Sequence, residues 1–245
     1  MVRNIHMILE YDGGRYHGWQ RQEHESTVQG RIEHVLRQMT GEEVDLIGAS
    51  RTDAGVHALG QSANFLTRST MSIEEMKAYL DTYLPDDIQV ISLREVEPRF
   101  HARHRAIGKH YRYQIWNSPR KNIFERRYYY QVRKKLDLEA MRQTIPLLVG
   151  VRDFRIFTTA LSKDKSSVKR LDSITMEVEG EKIFLHFKGD SFLHKMVRML
   201  TGTLIQVGLG ELTPEEVQTL MTQPREKRQV LTAPPHALFL VEVYY

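Results

Sequence analysis

The chain has 245 residues and no cysteine, which excludes a disulfide framework and thiolate zinc sites. Its 41% hydrophobic content supports a real core, in one large domain or two small ones. No secretory leader pattern follows Met1, and no apolar stretch nears the ~20 residues that cross a bilayer, so a soluble, cytoplasmic protein with no membrane partner is expected.

In chain order, Ile5, Met7, Leu9 and Tyr11 alternate with polar residues, the period of a half-buried strand. Val28, Ile32, Val35, Leu36 and Met39 recur at helical spacing behind the capping residues Ser26 and Thr27. Strands are expected at Val44 to Ala49, Gln61 to Thr67 and Ile88 to Val96, with a capping box at Ser72-Ile73-Glu74-Glu75 opening a helix that ends near Leu84-Pro85. Lys109 to Asn117 is a strand with Tyr111, Tyr113 and Ile115 on one face, and Asp137 opens a helix carrying Leu138, Met141, Ile145 and Leu148. Ile174 to Val178 and Ile183 to Phe187 form a hairpin. A long helix should bury Phe192, Met196, Leu200, Thr203 and Val207, and Thr213-Pro214-Glu215-Glu216 caps another. Leu238, Leu240 and Val243 belong to a last strand, and Leu161 to Ser167, short of apolar anchors, reads as a mobile loop. These elements predict an α+β protein of two similar halves with mainly antiparallel sheets, 1–104 and 105–245.

The net charge of +4 hints at an anionic partner, and its distribution sharpens the hint. Arg99, Arg103, Arg105, Lys109 and Arg112 fall in fourteen residues with His101, His104 and His110 and no acid. Arg120, Lys121, Arg126, Arg127, Arg133, Lys134 and Lys135 follow against Glu125 alone. Such runs suit a phosphate backbone, and equally a solvated basic surface.

Four runs carry chemistry-bearing residues. Arg51-Thr52-Asp53-Ala54-Gly55-Val56-His57 lies between two expected strands, where Arg51 could hold Asp53 ionised and Gly55 permits a left-handed turn. A structural turn tied by an Arg–Asp ion pair explains the same residues. Tyr11-Asp12-Gly13 to Gly18-Trp19-Gln20 reads as a glycine-rich turn. Phe100-His101-Ala102-Arg103 and Lys109-His110-Tyr111-Arg112-Tyr113 interleave aromatics with cations, as unstacked RNA bases require, although core tyrosines on a half-buried strand would look alike. In Phe192 to Arg198, His194 and Arg198 stand four apart, placing them on one helical face away from Met196. The histidines form no metal-binding spacing, and neither a Walker loop nor a GxGxxG after a strand is present, which favours chemistry without metal or cofactor.

These runs, with Gly150, Asp153-Phe154, Phe157 and Ala237 to Val241, occur in the order found in the TruA family of tRNA pseudouridine synthases, which the chain resembles over essentially its whole length. The resemblance implies a pseudouridine synthase fold with a central basic cleft, a homodimer, and modification of uridines 38, 39 and 40 in the anticodon arm of tRNA. It implies Asp53 as the catalytic carboxylate supported by Arg51 and Arg198, Tyr111 as the residue stacking on the target base, and Leu238 as lining for the base pocket. The aromatic and basic runs add His101, Arg103 and Lys109 as substrate-binding candidates. Ser50, where the family often has glycine, and Arg152, where it often has histidine, bear on substrate choice, so a diverged copy acting on another tRNA uridine is the nearest alternative. A non-catalytic tRNA-binding protein and a metal-dependent hydrolase built on Asp53 and His57 are further ones, the latter short of a second acid closer than Asp45.

Overall fold

The computed structural model describes residues 1–160, 166–222 and 230–245. Residues 161–165, most of the segment expected to be a mobile loop, lie outside them. The strands are β1 (Arg3–Tyr11), β2 (Ile47–Gly48), β3 (His57–Thr67), β4 (Ile88–Val96), β5 (Gly108–Asn117), β6 (Tyr130–Val132), β7 (Gly150–Asp153), β8 (Val168–Glu179), β9 (Lys182–Gly189) and β10 (Leu238–Tyr244). The helices among the described residues are α1 (Val28–Thr40), α2 (Ile73–Tyr83), α3 (Leu138–Leu148), α4 (Met196–Gly208) and α5 (Pro214–Thr222). The class is α+β with mostly antiparallel pairing, as the sequence predicts.

Two compact units divide the chain, Met1–Ile107 with Phe239–Tyr245, and Gly108–Leu238. The chain therefore returns to the first unit after the second, whereas the sequence suggests a single crossing near residue 104. The reason is β10, which pairs parallel with β3 through Phe239 opposite His57 and Leu240 opposite Ala58. A parallel partner so distant in sequence leaves no local turn signal to read.

In the first unit the strand order is β4-β1-β3-β10, with β2 also on β3. Ile5, Met7 and Leu9 of β1 are wholly buried, as their alternation demands. Thr27 caps α1 through the Gly30 amide, and Ser72 and Glu75 close a reciprocal capping box on α2. Such a cap is worth about 1 kcal/mol. The expected strand at 44–49 shrinks to Ile47–Gly48. Before it, α1 side chains take the backbone instead: Glu33 Oε1 accepts from the Leu46 amide at 3.0 Å and Gln29 Nε2 donates to the Leu46 carbonyl at 3.1 Å.

The opposite face of this sheet is polar yet buried. Asn4, His6, Ser62 and Asn64 lie there, each 3% exposed or less. They anchor the segment after β4. Asn4 Nδ2 donates to the carbonyls of Glu97 and Phe100, Asn64 Nδ2 to Asn4 Oδ1, and Asn64 Oδ1 accepts from the Ala102 amide at 2.8 Å. Buried amides with all these partners satisfied fix a loop tightly, and this loop carries His101 and Arg103.

In the second unit β5 pairs with β9, β9 with β8 and β8 with β7, all antiparallel, while the short β6 lies parallel to β5. Tyr111, Tyr113 and Ile115 face Phe187, Leu185 and Ile183 across the ladder and are buried. Helix α4 is buried nearly all round, which makes it the core helix of the unit. It begins at Met196, later than the periodicity suggests, because Lys195 adopts a left-handed conformation with φ 61°. His194 therefore precedes the helix and shares no helical face with Arg198. Its Nδ1 instead lies 3.1 Å from Thr159 Oγ1.

Candidate active site

The loop between β2 and β3 holds Asp53 by backbone and neighbours rather than by its own length. The Val56 amide donates to the Asp53 carbonyl at 3.1 Å, and Gly55 between them has φ 77°. A turn with positive φ at its third residue demands glycine there, which accounts for the Asp-Ala-Gly-Val order. Asp53 itself is half-buried, Arg51 exposed and Thr52 buried.

Four ties run from the Tyr11–Gln20 segment to this loop. Tyr11 Oη and Thr52 Oγ1 are 2.8 Å apart, the Trp19 amide donates to the Thr52 carbonyl at 3.1 Å, the Gly55 amide to the Tyr16 carbonyl at 3.3 Å, and the Gly13 amide to His57 Nδ1 at 3.0 Å. Asp12 Oδ1 also lies 3.0 Å from His57 Nδ1, and the His57 ring stacks on Phe239 at 4.7 Å. Gly18 has φ 88°, and a Cβ there would come within 2.7 Å of the Thr52 carbonyl oxygen. The glycine-rich run is therefore a cradle for the Asp53 loop, and its glycines allow the close approach. Asp87 pins the cradle: it accepts from Arg15 Nη2 and from Tyr16 Oη, both at 2.6 Å, and burial first and this bond second raise the Tyr16 phenol.

Two residues complete the support. Gln61 on β3 brackets Ser50, accepting from its amide at 3.2 Å and donating to its carbonyl at 2.8 Å. The sequence offered one sign of this, a polar residue at a buried strand position. Arg103 reaches the loop's start, with Nε and Nη2 each 3.2 Å from the Gly48 carbonyl. Burial, and then the Arg51 charge, lower the Arg103 guanidinium from its ordinary value. His101 Nδ1 accepts from the Arg103 and His104 amides at 3.2 and 3.3 Å, so its ring shapes the turn that presents Arg103. Of the sequence candidates, Asp53, Arg51, His101 and Arg103 thus gather in the first unit.

The other candidates belong to the second unit. Tyr111 is 7% exposed and meets the Phe192 ring edge-on at 5.1 Å. Lys109 is half-buried opposite Gly189. Arg198 Nε donates to the Ala233 carbonyl at 2.7 Å, while the Ala233 amide returns a bond to the Arg198 carbonyl at 3.1 Å. This double tie fixes the segment leading to Leu238, which is 5% exposed and whose amide bonds the Pro235 carbonyl. Tyr113 Oη donates to the Pro234 carbonyl at 2.9 Å, a second anchor for that segment. Among the described residues no three His, Asp or Glu side chains are grouped so as to hold a metal ion, and no helix is long and apolar enough to cross a membrane.

A family model described as tRNA pseudouridine synthase matches residues 7–104 and 145–245. A protein named tRNA pseudouridine synthase A from Acetivibrio thermocellus is 44% identical over 244 residues, the whole of both chains. Another of that name from a Bacillus species is 43% identical over 240 residues, 98% of each chain. One named tRNA pseudouridine synthase A 2 from Bacillus cereus is 40% identical over 245 residues, again the whole of both.

Proposed function

The chain belongs to the tRNA pseudouridine synthase family, and from that membership we propose that it isomerises uridine to pseudouridine at positions 38, 39 and 40 of the tRNA anticodon arm, with Asp53 as the catalytic carboxylate. The observation that carries the assignment is the cradle: a half-buried carboxylate on a loop tied by its own turn and by Tyr11, Tyr16, Trp19, Gln61 and Arg103. Ordinary surface turns are not braced at so many points, whereas a reacting group must be.

In the reaction the N1–C1′ bond breaks, the base turns, and a C5–C1′ bond forms. The C5 proton leaves and N1 gains one, so no oxidant, energy source or cofactor is consumed. A carboxylate serves this chemistry by attacking C1′, by taking the C2′ proton, or by adding to C6 of the base. Arg51, two residues before Asp53 on the same loop, and Arg198 are the arginines that the family resemblance assigns to the support of the catalytic carboxylate. The target base leaves its stack at a cost of a few kcal/mol, offset by stacking on Tyr111 at ~1–3 kcal/mol. Leu238 lines the apolar side of the base, and Lys109 and His101 meet the backbone around it. The protein acts in the cytoplasm as a homodimer, one tRNA spanning both subunits and read by shape and phosphates.

The test is Asp53→Asn with unmodified tRNA transcript. The variant should bind the tRNA with wild-type affinity and form no pseudouridine, and retained turnover would refute the assignment of Asp53. Chemical mapping of the wild-type product then fixes the positions. Because full-length relatives include proteins named as a second A-type synthase, product outside the anticodon arm would show that the chain is a diverged copy.

A further inference from the structure

The connection between β5 and β6 ends in an apolar tip. Phe124 is 95% exposed and Ile123 61% exposed, so the Phe124 ring leaves nearly all of its apolar surface in water and Ile123 more than half of its own. Yet the loop is built rather than slack. Asn122 Oδ1 accepts from the Glu125 amide at 3.0 Å, the Tyr128 amide bonds the Glu125 carbonyl at 2.8 Å, and Glu125 Oε1 accepts from Lys182 Nζ at 2.8 Å. At its base Glu181 accepts from Ser118 Oγ at 2.6 Å and from Arg120 Nη2 at 2.9 Å. Arg126 Nη1 donates to the Ile123 carbonyl, which ties this guanidinium to the backbone of the tip. Lys121, Arg126 and Arg127 are exposed around the tip.

We propose that this tip is a second RNA contact, outside every run that carries a candidate active-site residue, where the Phe124 ring receives an unstacked nucleobase of the tRNA while Lys121 and Arg126 meet its phosphates. A rigid aromatic ring flanked by cations is what stacks on a base, since every base has a π face and the strand on either side is anionic. A second copy of the chain is the poorer occupant. It would bring two tips of like charge together, with only Glu125 as an acid between Arg120 and Lys135. The inference rests on the tRNA reading above, and its site lies in the stretch between residues 104 and 145 that the family model leaves unmatched.

The experiment compares Phe124→Ala, Phe124→Leu and Phe124→Trp with the wild type, using one unmodified tRNA transcript. Phe124→Ala should weaken binding about 5- to 100-fold, the loss of one stacked base, with turnover at saturating tRNA and Tm unchanged. Phe124→Leu should not restore affinity, and Phe124→Trp should, its fluorescence quenching as tRNA is added. Wild-type affinity in Phe124→Ala, or a Phe124→Trp signal indifferent to tRNA, overturns the proposal. So does unchanged affinity with a lower sedimentation mass, which would assign the tip to self-association. If the wild type binds no tRNA, the functional reading fails first. If it binds and modifies tRNA while Phe124→Ala is silent, only this inference fails.

Discussion

Arg103 places both Nε and Nη2 3.2 Å from the carbonyl oxygen of Gly48, five residues before Asp53. The sequence marks Arg103 as a cation for RNA, and the structure gives its guanidinium an intramolecular task at the root of the loop. Arg103→Ala should therefore lower kcat tenfold or more through loosened positioning, with a stability loss of about 1.5–3 kcal/mol for a hydrogen bond to a charged group. The salt dependence of tRNA affinity should stay as in the wild type. A slope reduced by ~0.7–0.9 log units per decade would show instead that Arg103 meets a phosphate.

The cradle makes two glycines intolerant. A Cβ on Gly18 would sit 2.7 Å from the Thr52 carbonyl at a φ of 88°, and one on Gly13 would collide with the Val56 carbonyl. Gly18→Ala should cost more than the ~1 kcal/mol of an ordinary glycine replacement and depress kcat, since relief of the clash moves Asp53's neighbours. Urea unfolding with a single-turnover assay checks both. A variant equal to wild type in kcat would sink the idea that the cradle positions the carboxylate.

Acid should loosen the first unit through His6. Its ring is lowered to about 4, by burial first and by the Arg94 charge second. Arg94 Nε donates to His6 Nδ1 at 3.3 Å, so Nε2–H donates to Ser62 Oγ at 2.7 Å. Ser62 then donates to Tyr245 Oη at 2.5 Å, and Tyr245 to the Ala102 carbonyl at 2.8 Å. This chain of donors requires neutral imidazole. Between pH 6.5 and about 4 the unfolded chain binds the extra proton and the folded one does not, so the contribution is complete above pH 6.5 and is lost as pH falls toward 4. Its size is on the order of 1–2 kcal/mol. Denaturation from pH 7.5 to 4.5 should show a shallower decline in His6→Gln. Parallel profiles would exonerate His6.

The basic segments should weigh unequally in tRNA binding. Arg105 is paired with Glu97 and Arg120 with Glu181, whereas Arg133, Lys134 and Lys135 stand exposed in a row. Replacing these three together by glutamine should flatten the slope of log affinity against log salt by about 2–3 units if each meets a phosphate. An unchanged slope would place the RNA elsewhere on the surface.

Regular local patterns were legible in the chain. The alternation of Ile5, Met7 and Leu9, the capping boxes at Ser72 and Thr213, and the strand after the Asp53 loop follow from periods and caps that neighbouring residues impose on one another. Asp53 could be named because the runs that carry the family resemblance are contiguous. The tertiary structure decided what depends on residues far apart in sequence. The parallel seat of β10 beside β3 comes from pairing across almost two hundred residues, which no turn announces. Tyr11–Gln20 serves as a cradle because Gly13 and Gly18 meet carbonyls of residues 56 and 52. His194 leaves the helix because Lys195 takes a left-handed φ that spacing alone does not reveal. Arg103 turns inward because Asn4 and Asn64 hold its segment over the sheet. Short-range order is written in the pattern of side chains, whereas the direction in which a charged side chain points is set by which buried carbonyl the fold brings within reach.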